Sequence, residues 1–396
     1  MAHDPRHSAQ TRWLGAAALL SVVRSQPGIT RTAAAQRLGI GSGNATELAT
    51  RLRDTRLLDE EPAPAQGRGR PTTVLGPHAE GPLVLAVDLR ASDWRLAMAG
   101  IDGQAKILTQ SGYAEEPDAA LAQVAKAIGT VYRRNAKRLR AIAIAVAGPV
   151  SGVRLGQFPS RGWTDIDLSV LTAKVADRDD IGLLVGNDAT LAGLAEARTG
   201  AAREAATALH LIVAQGIGGT LVVNGEPVTG AHGAAGEYGH IPFAEPDLVC
   251  PCGARGCWDL TVDGRALARH LGDPEPDEAV GYVHAIVDRP KRDACTRRAL
   301  TAVSSSLGRG IGALVNLHDP DIVTLGGAAV LLRAAAPEAF ADAYRDALMA
   351  FRKSAPPPVR DGVHGEDGPL RGAVELALDH VVTPAGVADW VALQDV

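Results

Sequence analysis

The sequence predicts a mixed α/β fold in which a small helical head precedes a body of two α/β lobes. Three observations predict it. Three short helical patterns fall within the first sixty residues, strands and helices alternate beyond Gly81, and a second strand series opens at Ala208. At 396 residues the chain has room for two or three globular units. Its 46% hydrophobic and 21% charged residues exclude a disordered or fibrous chain, and 4% aromatic residues leave the core to aliphatic side chains.

In the head, the first helix occupies residues 13–24 and stops at Pro27-Gly28. A second, residues 32–38, opens after Thr30, whose hydroxyl suits an N-cap, and ends at Gly39. Gly39-Ile40-Gly41 makes the turn. The third, residues 42–55, sets Ala45, Leu48, Ala49 and Leu52 on one stripe. Ser42, Gly43, Asn44, Thr46, Glu47, Thr50 and Arg51 face the other way. Residues 61–71 are too rich in Pro and Gly to extend the helix and read as a wing, a linker or both.

In the body, strands are expected at residues 83–88, 95–101, 141–146 and 181–185, with helices at 118–134 and 189–198. The second series runs from a strand at 208–213 through a hairpin turning at Asn224-Gly225 to a helix at 300–317 and a strand at 322–325. Residues 354–368, with three consecutive prolines, read as a surface loop before a last helix from Arg371. The expected units are a head of residues 1–80, a first lobe of 81–195 and a second of 196–396, whose C-terminal helix returns to the first.

The net charge of −5 conceals a polarised chain. Residues 1–80 carry 10 Lys+Arg against 7 Asp+Glu, a net of +3, and residues 81–396 carry 30 against 38, a net of −8. The basic character therefore lies in the head. Three helices with a short glycine turn before the third match a helix-turn-helix, whose third helix enters the major groove of DNA. Ser42, Asn44 and Thr46 can bond base edges, and Arg51 and Arg53 have the reach for phosphates. Arg68 and Arg70, set between glycines, suit a narrow minor groove. The alternative is a solvated three-helix cap on an enzyme. The apolar run at 14–23 follows a start containing Asp and His and lacks a cleavage site. No stretch reaches the ~18 apolar residues of a membrane span, so a cytoplasmic protein without membrane contact is expected.

Three of the four cysteines crowd into Cys250-Pro-Cys252-Gly-Ala-Arg-Gly-Cys257, ten residues beyond His240. Three thiolates and an imidazole can close a tetrahedral site with no open position, which is the pattern of structural zinc. The alternative, three inert buried thiols, needs more core than a glycine-rich loop supplies. Cys295 stands alone as a small hydrophobe.

On these residues the chain resembles the ROK (repressor, open reading frame, kinase) family, and within it the transcriptional regulators with an N-terminal winged helix-turn-helix. The resemblance rests on residues 212–240, running from Ile-Val-Ala-Gln-Gly-Ile-Gly-Gly to Gly-Glu-Tyr-Gly-His, and on the cysteine run after them. It is extended by Ala147-Gly148-Pro149-Val150, Gly162-Trp163, Asn187-Asp188-Ala189, Asp319-Pro320-Asp321 and Leu325-Gly326-Gly327. It implies an actin-like, hexokinase-like body of two lobes with a ligand cleft between them. It also implies that Asp188 matches the base that deprotonates the sugar hydroxyl in family kinases, and that Asn187, Glu237, His240 and Asp259 match residues binding sugar hydroxyls. The family usually has Glu where Asp259 stands, which leaves room for another sugar or a water.

The departure lies at the phosphate site. Kinases of this fold carry an Asp-x-Gly-Gly-Thr turn, where glycines let backbone N–H groups approach ATP, and here the turn reads Asp88-Leu89-Arg90-Ala91-Ser92. The second loop, Ala214-Gln215-Gly216-Ile217-Gly218-Gly219, has Ala-Gln in place of Gly-Thr. The reading is therefore a sugar-responsive regulator, with no enzymatic activity and Asp188 a vestigial base serving as a sugar ligand. Arg90 suggests that the sugar carries a phosphate, unless it is a solvent-facing strand end. The expected partners are double-stranded DNA with a pseudo-palindromic operator, a sugar or sugar-phosphate effector, and a second or further copies in a homodimer or homotetramer. The rival is an ATP-dependent sugar kinase carrying a DNA-binding head.

Overall fold

The computed structural model describes residues 5–63, 73–114, 116–158, 161–173, 175 and 181–394. The head consists of α1 (Pro5–Ser25), α2 (Arg31–Leu38), α3 (Ser42–Asp54) and an antiparallel pair, β1 (Leu58–Pro62) and β2 (Thr73–Pro77). The Thr30 hydroxyl caps α2 by accepting from the Ala33 amide at 3.2 Å, and Gly39 ends that helix at φ +65°. α3 buries Ala45, Ala49 and Leu52, as its apolar stripe requires. The hairpin is tied to the helices where the Leu75 amide donates to the Ile29 carbonyl at 2.8 Å. Residues 64–72, with Arg68 and Arg70, lie outside the described residues. α1 starts earlier than the sequence pattern indicates, because its first turns precede the apolar stripe.

In the first lobe, β3 (Leu83–Leu89), β4 (Asp93–Ala99) and β5 (Lys106–Gly112) form an antiparallel meander. α4 (Pro117–Asn135) crosses to β6 (Leu139–Val146), which pairs parallel with β3. A small three-stranded sheet of β7 (Val150–Ser151), β8 (Arg154–Phe158) and β9 (Trp163–Asp167) precedes β10 (Gly182–Asn187), parallel to β6, and α5 (Asp188–Thr199). The main sheet order is β10-β6-β3-β4-β5. β3 and β6 are buried along their whole length, which is why they read as apolar runs broken only by Asp88 and Arg140.

In the second lobe, β11 (Thr207–Val213) pairs antiparallel with β12 (Ile217–Val223), and β13 (Glu226–Pro227) follows a turn with Asn224 at φ +52° and Gly225 at φ +78°. α6 (Gly264–Leu271), α7 (Ala279–Val287) and α8 (Ala294–His318) precede β14 (Ile322–Gly327), α9 (Ala328–Ala335), α10 (Pro337–Ala347) and β15 (Val359–Asp361). The order β15-β14-β11-β12-β13 repeats the first lobe strand for strand, parallel on one side and antiparallel on the other. The turns β3–β4 and β11–β12 are therefore equivalent positions of one duplicated topology.

α11 (Gly368–Val381) lies on β3 and β6, and α12 (Pro384–Ala392) lies on α1. Two expectations are corrected here. Residues 354–368 contain β15, which adds a strand beside β14, and the helix expected from Arg371 begins at Gly368 and is followed by another. A single apolar core runs from Trp13, Leu19 and Leu52 in the head through Val84 and Ala86 to Val374, Leu378 and Trp390. Among the described residues no helix is long and apolar enough to cross a membrane.

Candidate functional site

The cysteine segment is a knuckle. The Cys250 amide donates to the Ala254 carbonyl, the Gly253 amide donates back to the Cys250 carbonyl, and isolated bridges pair Val249 with Arg255 and Pro242 with Cys257. Trp258, fully buried, anchors it by donating from Nε1 to the Ser306 carbonyl of α8 at 3.2 Å. This framework brings one donor atom each from His240, Cys250, Cys252 and Cys257 within 4.8 Å of one another. Cys252 Sγ lies 3.7 Å from Cys257 Sγ, and Cys250 Sγ lies 3.8 Å from His240 Nδ1. Thiolates bound at about 2.3 Å on a tetrahedral ion sit about 3.8 Å apart, so the cluster fits a metal such as zinc. Burial pushes the Cys257 thiol up to about 12 and Cys250 upward as well, so a bound cation would have to displace their protons.

The imidazole of His240 faces two ways. Nδ1 points to the sulfurs and also lies 3.8 Å from Asp259 Oδ2, whereas Nε2 is 3.7 Å from the Glu237 carboxylate. One ring can thus hold a metal with one nitrogen and a ligand with the other. Asp259 is buried, and its Oδ1 accepts from the Ile217 amide at 2.6 Å, which ties the knuckle to the β11–β12 turn.

Asn187 and Asp188 stand at the junction of β10 and α5. Asn187 is the N-cap: its Oδ1 accepts from the Thr190 amide at 3.1 Å, and its Nδ2 donates to the Gly148 carbonyl at 3.1 Å. Asp188 Oδ1 accepts from the Ala189 amide at 2.8 Å. Burial pushes its carboxyl up to about 6, the Ala189 N–H opposes the shift, and the carboxylates of Asp88 and Glu237 add to it. A carboxyl shifted upward in this way can accept a hydroxyl proton near neutral pH.

The β3–β4 turn is closed by charge pairs. Buried Asp88 accepts from Arg95 Nη2 at 2.7 Å and Nε at 3.2 Å, and Arg95 also donates to Asp367 at 2.6 Å and to the Glu366 carbonyl at 2.8 Å. Arg90 pairs with Asp93 at 2.5 Å and lies 3.8 Å from Glu366, so its charge is already matched. A phosphate at Arg90 would have to displace those carboxylates. Arg95 carries no signal of this role in the sequence beyond being a lone cation in an apolar strand. In the β11–β12 turn, Gln215 Nε2 donates to the Asp277 carbonyl at 3.1 Å, and Arg265 donates to the Gln215 carbonyl at 3.0 Å.

On the head, Ser42, Asn44, Thr46 and Arg53 are exposed on α3 opposite its buried stripe. The Thr46 hydroxyl donates to the Ser42 carbonyl at 2.9 Å, and Arg51 pairs with Glu47 at 3.1 Å with its guanidinium 5.9 Å from the Trp13 ring centroid. Arg53 has the freer side chain of the two arginines.

Residues 84–380 match the model of the ROK family. A glucokinase of Streptomyces coelicolor is 26% identical over 266 residues, 62% of this chain and 81% of its own length. A putative xylose repressor of Caldicellulosiruptor sp. is 31% identical over 210 residues, 49% of this chain and 51% of its own length. Among solved structures, a ROK family transcriptional regulator described as a homolog of the E. coli MLC protein superposes with a TM-score of 0.75 at 19% identity, covering 97% of this chain and all of that one. That likeness of fold extends through the head as well as the body. With three quarters of its length matched, the chain belongs to the ROK family.

Proposed function

We propose that this chain is a sequence-specific, DNA-binding transcriptional repressor of carbohydrate metabolism, its operator affinity set by a sugar or sugar phosphate held between the lobes. The observation that carries the reading is the β3–β4 turn, where Asp88 is neutralised by Arg95 and no glycine leaves backbone amides open to a nucleotide phosphate. The relative named as a putative xylose repressor and the fold likeness to a regulator along the whole chain support it. In this reading Ser42, Asn44 and Thr46 meet base edges, and Arg51, Arg53, Arg68 and Arg70 meet the DNA backbone or minor groove. Asn187, Asp188, Glu237, His240 and Asp259 hold the effector's hydroxyls. Zinc on His240 Nδ1 and the three thiolates serves structure, fixing the loop that presents His240 and Asp259. A homodimer or homotetramer sets two heads on a pseudo-palindromic operator, and effector binding shifts their spacing.

Genome-wide capture of bound DNA with and without a panel of sugars tests this. The expected result is enrichment at a few palindromic sites beside carbohydrate genes, altered by one sugar. Absence of any enrichment overturns it.

The second reading, an ATP-dependent sugar kinase carrying a DNA-binding head, is favoured by one observation: the Asn187-Asp188 pair keeps its carboxylate at the junction of β10 and α5, where burial shifts it upward toward the range of a base. A coupled assay of ADP release over the same sugars separates the two, since sustained turnover that is lost in Asp188→Asn would establish the kinase.

A further inference from the structure

We propose that Asp379 joins the effector-site helix to the head, through an ion-pair relay of Arg198, Asp379 and Arg24. The relay adds a route of regulation to the reading above, but its test uses neither sugar nor DNA, so the two can fail separately.

α5 begins at the ligand-cleft residues Asn187 and Asp188 and ends beside the head. Along its length it packs on β11 and β12 of the second lobe and crosses α11, which belongs to the core shared with the head. The crossing is close. A Cβ on Gly372 would lie 1.9 Å from the Leu191 carbonyl oxygen, so at that point backbone meets backbone and α5 has a pivot against α11. Near the end of α5, Arg198 donates to Asp379 of α11 through both Nη1, at 3.1 Å to Oδ1, and Nη2, at 3.2 Å to Oδ2. Its Nε donates to the Gly225 carbonyl at 2.8 Å, and Nη2 also reaches Glu226 at 2.7 Å.

The same Asp379 Oδ1 lies 2.8 Å from Nη1 of Arg24, in the last turn of α1. Arg24 is buried and is held further by Glu375, which accepts from Nε at 2.7 Å and also from Nη2. One carboxylate oxygen is therefore shared by a guanidinium from the head and one from the effector-site helix. These groups line a cleft of about 420 Å³, which leaves Arg198 room to move. When the lobes shift and α5 turns on its pivot, Arg198 is displaced relative to α11. Asp379 then reorients, and Arg24 passes the change to α1. Arg198 acts on the head as a positioning residue, because its own contacts lie on α11 and the β12–β13 turn.

Hydrogen exchange on the full-length protein tests the relay. In Arg198→Ala, amide exchange in the last two turns of α1, residues 18–25, is expected to quicken at least threefold. Asp379→Asn should reproduce the effect and Arg198→Lys should largely restore protection. Glu226→Gln, which removes the other carboxylate partner of Arg198, should leave α1 as in the wild type. The proposal is overturned if Arg198→Ala changes exchange only within residues 194–200 and 224–227. It is equally overturned if Glu226→Gln loosens α1 as much, since that would be general loosening of the junction. Both outcomes can be read even if Arg24 variants fail to fold.

Discussion

At the scale of single residues, half-buried Asp188 and buried His210 pull the stability in opposite directions. Burial pushes the Asp188 carboxyl up from 3.8 to about 6, with Asp88 and Glu237 facing it. A folded-state value above the unfolded one means the native chain holds an extra proton between about pH 4 and 6, so this group adds stability as pH falls through that window. Above pH 6 its desolvated charge is a cost. Asp188→Asn should therefore stabilise the ligand-free chain at pH 8 by at most about 3 kcal/mol, with the gain gone below pH 4. Urea unfolding at the two pH values measures it, and a destabilised variant at pH 8 would contradict it.

His210 behaves inversely. It is buried, its Nδ1 is 2.9 Å from the Thr324 hydroxyl, its Nε2 has no partner, and burial holds the ring down at about 4, against Glu196, which favours its charge, and with His364, which opposes it. The unfolded chain then binds the extra proton, and stability is lost as pH falls from 6.5 to 4. In the wild type the two effects largely cancel over their common range. In Asp188→Asn that compensation is removed, and stability should fall more steeply between pH 6.5 and 4 than in the wild type. A flat profile in that variant would show that His210 finds a proton-accepting partner in solution.

Among the elements, the cysteine knuckle depends on a helix far from it in sequence. A Cβ on Gly310 of α8 would lie 2.1 Å from the Trp258 ring, and Trp258 directly follows Cys257 of the candidate metal cluster. Gly310→Ala should push the indole out of its seat, cost about 1–3 kcal/mol as overpacking, and weaken metal retention against a chelator at least tenfold. Unchanged metal retention would mean that the knuckle holds its shape without the tryptophan. The four donor residues were legible in the sequence because their spacing is local. Their support was not, since nothing around residue 310 announces which ring rests on it. The same division runs through the fold. Thr30, Gly39 and the stripe of α3 are local signals that mark α2 and α3, and the apolar runs of β3 and β6 mark the centre of the first sheet. The strands β7 to β9 were missed because two to five residues of mixed polarity have no resolvable period. The roles of Arg95 and Arg24 carry no local signal, because their partners Asp367 and Glu375 lie 272 and 351 positions away.

For the whole molecule, composition suggests a head separable near residue 80, but the packing says otherwise. Trp13, Leu19, Leu20 and Leu52 share their core with Val84, Leu378 and Trp390. Trp390 Nε1 donates to the Thr55 carbonyl just beyond α3, and Arg24 is buried against Glu375 and Asp379. A fragment of residues 1–80 would expose that apolar surface and lose the ion pairs of Arg24 with Glu375 and Asp379. A helical bundle of this size has only a few kcal/mol of stability to lose. The fragment should therefore lack a cooperative thermal transition by circular dichroism and show poor amide dispersion by NMR. Trp390→Ala in the intact chain should cost about 3–5 kcal/mol and loosen α1 and α3 before the second lobe, as hydrogen exchange would resolve. If the fragment instead melts sharply, the head is an autonomous domain, and movement of the lobes would have to reach the head through tethering alone.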